Sequence, residues 1–301
     1  FVSAHEVGHT IGLPHNMGSS SAYHVDSLRS PTFTANHGVA PSIMDYARFN
    51  YVAQPEDGVT NFYPRVGEYD IWSVKWGYTY FDGEDQNTEK EILNKWIKEK
   101  ANNYQYWFGY SNGIDPRSQT ESIGSDNMDA SYYGLLNLKR IVPNLINWTY
   151  EDGKNYDDLK ELYLNVYSQF RRYIGHVSTN VGGIYENLKS NDQDGDVYTH
   201  VPKNLQKKAI TFLNSHVFSS LDWLVNRDVL SKIENIGAQE RVRSIQEFAL
   251  RRLFDYSRLA RMLENESMNG KLAYSINEMI IDLDNSCLLY TSDAADDSGC
   301  V

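Results

Sequence analysis

The sequence predicts a mainly α protein with one short β-hairpin. Apolar residues recur at helical spacing over most of the chain beyond residue 84, and a single pair of short strand-like segments flanks the turn Asp192-Gln193-Asp194-Gly195. The 301 residues are 41% hydrophobic and 13% aromatic, enough for packed cores and a length suited to about two domains.

In order, residues 1–12 read as a helix, apolar at Val2, Val7 and Ile11 and ended by Gly12 and Pro14. Residues 16–66, rich in Ser, Asn, Gly, Pro and Tyr, lack sustained periodicity and read as a long irregular stretch of the kind that usually carries function. Helical period returns over 67–76 and stops at Gly77; the turn cluster Asp82-Gly83-Glu84-Asp85 marks a soft domain boundary. Residues 88–102 form an amphipathic helix, and Tyr104–Tyr110 a short strand. Helix 126–148 is kinked by Pro143. Helix 156–178 precedes the hairpin, Gly183–Leu188 with Val197–Val201. Helices over about 203–218, 226–234, 238–254, 256–265 and 270–284 complete the pattern, with no repeat, coiled coil or low-complexity tract.

Charge narrows the function. With 40 Asp and Glu against 28 Lys and Arg, the net charge of −12 argues against a nucleic-acid binder, which needs a basic face. No apolar run approaches the ~18–20 residues of a membrane span. Two cysteines make no disulfide framework.

The informative segment is His5-Glu6-Val7-Gly8-His9-Thr10-Ile11-Gly12-Leu13-Pro14-His15. His5 and His9, four apart on a helix, project from one face and reach one Zn²⁺. Glu6 sits beside the first ligand, placed to act on water as a general base rather than to ligate. Gly12 lets the chain leave the helix and bring back His15. Three histidines leave a fourth position for water, the catalytic rather than the structural arrangement. The bland reading is a helix decorated with histidines and no metal.

This extended motif resembles the metzincins, HExxHxxGxxH followed by a Met-turn. Ser42-Ile43-Met44-Asp45-Tyr46 lies 29 residues after His15. The resemblance implies that Met44 forms a hydrophobic floor beneath the histidines and that Tyr46 supports charge on the substrate carbonyl oxygen. Asn16, after the third histidine, departs from the usual Glu, Asp, Ser or Pro of the best-known families. With the stretches His15–Tyr23, Pro41–Tyr51, Asp115–Thr120 and Asn137–Leu145, residues 1–285 look like the large exported Met-zincin proteins of Bacteroidetes-type bacteria. The resemblance implies a zinc-dependent metalloendopeptidase acting on protein or peptide substrates outside the cytoplasm, in the periplasm, at the cell surface or in the exterior. It also implies that residues 1–83 are the C-terminal part of an α+β metzincin catalytic domain (active-site helix, long loop, Met-turn, helix) and 84–286 a helical extension.

Both ends carry expectations. The chain opens inside the motif helix without an initiator Met, so an upstream subdomain that would form the upper cleft wall and carry the signal is expected to precede it, leaving this piece weakly active. Cys287–Asp296 resembles a translated sequencing-adapter end, making 287–301 a non-native tail. That tail holds both cysteines and three aspartates, without which the net charge is −9.

Other features have competing readings. Asp192, Asp194 and Asp196 hint at a calcium loop, but the glycine comes early and the distal Glu is missing, so calcium is not expected. His24, His37, His176, His200 and His216 lack ligand spacing. Asp115, Arg117 and Glu121 read either as a buried ion pair or, preferred, as capping for the helix near Asp126. Asp45 is a candidate acceptor bracing a ligand histidine. Tyr104, Tyr106, Trp107 and Tyr110 read either as a sugar-stacking surface or, preferred, as core packing. Lys207-Lys208 and Arg251-Arg252 read as solvated faces. The alternative to an enzyme is a helical interaction module with an inactive metal site.

Overall fold

The computed structural model describes residues 1–284 apart from 48 and 236; the expected non-native tail lies outside the described residues. The chain is mainly helical and forms two compact units, Phe1–Tyr133 with Tyr185–Thr199, and Gly134–Ile184 with His200 onward. Residue 83 lies within the first unit.

The first unit begins with α1 (Val2–Thr10). Its expected apolar face is not the buried one: Val2 and Val7 are 64% and 58% exposed, while His5 and Gly8 are buried. Among its described residues, the irregular stretch after it contains only the short α2 (Val25–Leu28) and α3 (Pro31–His37) and two 3₁₀ turns, yet Tyr23, Val25, Leu28, Val39, Ile43 and Met44 make it the core of the unit. A buried loop must satisfy its backbone internally. Asn50 does part of this, its N–H donating to Phe62 O (2.8 Å) and its Nδ2 to Leu28 O (2.8 Å). Arg29 clamps the loop with two hydrogen bonds to Asp57, 2.8 and 2.7 Å, under the Tyr133 ring.

Helix α4 (Glu68–Tyr78) runs one residue past Gly77, and α5 (Gln86–Lys100) starts at Asp85, whose carboxylate accepts the N–H of Asn87 and Thr88. Tyr104–Tyr110 is not a strand. Tyr104–Tyr106 is a 3₁₀ turn, because this aromatic run has no neighbouring strand to pair with. Asp115 and Arg117 form the buried ion pair rather than the cap (2.7 Å). The Arg117 guanidinium lies 4.3 Å from the Trp107 ring centroid and 4.2 Å from that of Tyr185. The cap of α6 (Asn127–Ile141) is Asp126, which accepts from Met128 and Asp129 N–H.

The single kinked helix expected over 126–148 is instead divided at Pro143: α6 ends at Ile141, and a 3₁₀ turn over Val142–Asn144 precedes α7 (Leu145–Thr149). In the second unit the central element is α8 (Asp157–Ser178). Leu159, Tyr163, Val166, Phe170, Tyr173 and Val177 fall three or four apart, so one buried stripe runs its length. The hairpin follows: β1 (Ile184–Glu186) pairs with β2 (Tyr198–His200). Then α9 (Lys203–His216), α10 (Arg227–Ile233) and α11 (Ala238–Leu253) pack on α8. The chain continues through α12 (Tyr256–Asn269) and a helical segment over 276–284.

Arg252 is not a solvated residue. With Arg258 and Arg261 it turns to the orphan acceptors that follow the last turn of α8. Arg252 donates to Ser178 Oγ (2.7 Å), Arg261 to Gly182 O (2.8 Å), and Arg258 to Ser178 O and Val181 O. Burial, then the charges of Arg252 and Arg261, push the Arg258 guanidinium down to about 9.

Phe170 is fully buried and meets Trp223 edge-on at 5.2 Å. Phe170→Ala should destabilise the second unit by about 3–5 kcal/mol in urea unfolding; a change below about 1 kcal/mol would contradict this packing.

Candidate metal centre

α1 ends in a Schellman motif, with Leu13 N–H donating to Gly8 O and Gly12 N–H to His9 O, both 3.0 Å. Gly12 carries the left-handed φ of +86° this requires. The chain thereby reverses and carries His15 back to the face that holds His5 and His9. Among the described residues, these three histidines are the one group of three or more ligating side chains whose donor atoms gather, within 4.8 Å of one another.

Backbone carbonyls orient the rings. His5 Nδ1 lies 2.8 Å from Ile43 O, and His9 Nδ1 lies 2.9 Å from Leu13 O. A carbonyl only accepts, so these contacts assign the Nδ1–H tautomer and leave both Nε2 lone pairs facing inward. His5 Nε2 is buried with no hydrogen-bond partner, and His9 Nε2 sits 3.0 Å from His15 Nε2. An orphaned buried acceptor is uncommon. Two further inward nitrogens beside it make a donor set that fits a divalent cation such as Zn²⁺. Partial burial, then the neighbouring His9 and His5, hold the His15 ring below the ordinary imidazole value against the pull of Glu6. A neutral ring keeps its lone pair for a metal.

Met44 is fully buried, and a Cβ on Gly8 would overlap its Sδ. The thioether therefore lies against α1 between the turns that carry His5 and His9. The half-buried Tyr46 ring is 5.2 Å from the His5 ring and 4.7 Å from the His15 ring. Glu6 is exposed on α1.

Three supports escape the sequence reading. Asp70, buried in the first turn of α4, accepts from Ser42 Oγ–H (2.6 Å), Ile43 N–H (2.7 Å) and Gly67 N–H (2.9 Å). Ser42 Oγ in turn accepts Met44 N–H at 3.0 Å. Asn16 uses its backbone N–H on Met44 O (3.1 Å), its Nδ2 on Trp107 O (2.9 Å) and its Oδ1 for Gly109 N–H (3.0 Å). The carbonyl of Ile43, not Asp45, braces His5. Asp45 instead accepts Ser20 N–H at 2.6 Å, and burial pushes its carboxyl up to about 7 against that bond. Asp70 resembles any acid at a helix start, so the available signal was Asn16, the departure from the usual residue after the third histidine.

At the start of α4, Glu68 accepts from Tyr23 Oη–H (3.1 Å) and pairs with His37 Nδ1 (3.0 Å). Burial raises this carboxyl, but its hydrogen bonds with His37, its own backbone N–H and Tyr23 outweigh that and hold it below the usual range.

A family model described as Met-zincin matches residues 1–293. No curated protein and no solved structure matches the chain. Among the described residues no helix is long and apolar enough to cross a membrane.

Two outcomes are expected. Gly8→Ala should displace Met44 and weaken zinc binding by about tenfold or more in a chelator competition; unchanged affinity would remove Met44 from the site's support. Because Glu68 binds its proton less tightly folded than unfolded, its stabilisation is present above the unfolded pKa and lost as pH falls through the folded one. Glu68→Gln should therefore flatten the loss of stability on acidification from about pH 5 to 3, read by urea midpoints; an unaltered slope would contradict it.

Proposed function

Because the chain belongs to the Met-zincin family, we propose that it is a zinc-dependent metalloendopeptidase of metzincin type. The observation that carries this is the convergence of three histidine nitrogens, one of them buried and unpartnered, on a helix that also bears Glu6. His5, His9 and His15 would hold the ion through Nε2. When bound, zinc supplies Lewis-acid activation of water and of the scissile carbonyl.

The chain's own groups do the rest. The carboxylate of Glu6 accepts a proton from the attacking water and delivers it to the departing amine nitrogen. The Tyr46 hydroxyl supports charge developing on the carbonyl oxygen. Met44, as the Met-turn residue, forms the apolar floor of the site against Gly8 of α1. Ile43 O and Leu13 O hold the ligand rings in the tautomer that presents Nε2. Residues 1–83 contain all of these groups and represent the C-terminal part of an α+β catalytic domain, with 84–286 as its helical extension. The division at residue 83 concerns where the chemistry lies rather than compactness. The substrate is a protein or peptide, and the family resemblance supports action outside the cytoplasm. The acidic turn is not assigned to calcium, since Lys98 already pairs with Asp192.

Purified protein should bind about one zinc per chain, and His5→Ala or His9→Ala should lose most of it by metal analysis. Glu6→Gln should retain the metal while hydrolysis of a fluorogenic peptide falls by about a hundredfold or more. Equal cleavage by Glu6→Gln and wild type would remove Glu6 as the base.

A further inference from the structure

The first unit contains a cleft of about 650 Å³ between the C-terminal end of α5, the aromatic turn that follows it and the hairpin tip. Its size falls within the range of small-ligand sites, about 300–1,000 Å³. None of the metal ligands lines it.

Its walls are aromatic without being core. Tyr104 is 54% exposed, and Trp72, Tyr106 and Trp107 are half-buried. Trp72 and Tyr106 meet edge to face, at 69° with centroids 5.9 Å apart, and Tyr104 is the most exposed ring of the wall. The lining also holds the amides of Asn102, Asn103, Asn187 and Gln193, the last three with their oxygens accepting internal hydrogen bonds and their N–H groups left to donate.

The three lysines at the cleft are already engaged. Lys98 pairs with Asp192, and Lys189 Nζ donates to Asp194 O at 2.7 Å. Lys100 lies 4.4 Å over the Tyr106 ring. An anionic ligand would have to break these contacts. A suitable ligand is neutral, carries both donors and acceptors, and offers an apolar face to the rings. A proline-rich peptide fits less well, since proline lacks the N–H that amide oxygens and Asp194 would accept. Pyranose rings meet every requirement, with C–H faces for stacking on aromatic π-systems and hydroxyls for the amides.

We propose that this cleft binds a neutral carbohydrate, as a short stretch of a glycan chain. The site is independent of the metal chemistry and works without it.

The test uses the full chain in EDTA with lactose, N,N′-diacetylchitobiose and maltose, read by saturation-transfer NMR and tryptophan fluorescence. At least one sugar should bind with a Kd of about 10 mM or tighter. Tyr104→Ala should weaken that binding by about tenfold. Asn102→Ala, at an exposed position with little packing to lose, should weaken it severalfold, with the melting temperature of both variants held. No response to any of the three sugars would overturn the proposal. So would full wild-type affinity in both variants, or tighter binding of a decaproline peptide or an anionic heparin disaccharide. Because the metal is absent throughout, these outcomes are separate from any failure of the protease reading.

Discussion

The carboxylate of Asp70 is the constraint on which the candidate metal centre depends. It gathers Ser42, Ile43 and Gly67 into one turn, and the carbonyl of that turn fixes the ring of His5. A buried carboxylate is costly to desolvate, and burial does raise its pKa above the ordinary value. Three donors aimed at its oxygens offset that cost. The orientation of His5 is thus set by a residue 65 positions away in sequence, through one hydrogen-bonded turn.

The same logic explains why residues 16–66 need so little regular structure. Several buried polar groups there answer particular backbone atoms, as Asn16 and Asn50 do with both ends of their amides. Side chains replace the hydrogen-bond ladders that helices and strands would otherwise supply. Such a core follows no apolar period, which is why it reads as a loop although Met44, Ile43 and Val39 are as buried as any residue of α8.

Legibility in the sequence therefore divides by mechanism. The helices beyond residue 126 were readable because their burial follows the 3.6-residue period, and the histidine triad because its spacing is dictated by one helix turn and one reversal. The faces of α1 were misread because its buried stripe is made of His5 and Gly8, which no hydropathy pattern marks. Tyr104–Tyr110 has strand-like composition but no partner, and composition alone cannot supply one. Asp70 and Asn16 act across long sequence separations, where a residue type in isolation carries no address.

Met44 bears on how the zinc motif itself is read. The residue before the second histidine is written as variable in the short form of the motif, yet here the sulfur occupies the volume a side chain would need. Its glycine is a footprint of the methionine 36 residues later. Two letters far apart in the chain therefore record one contact, and neither is free to drift without the other.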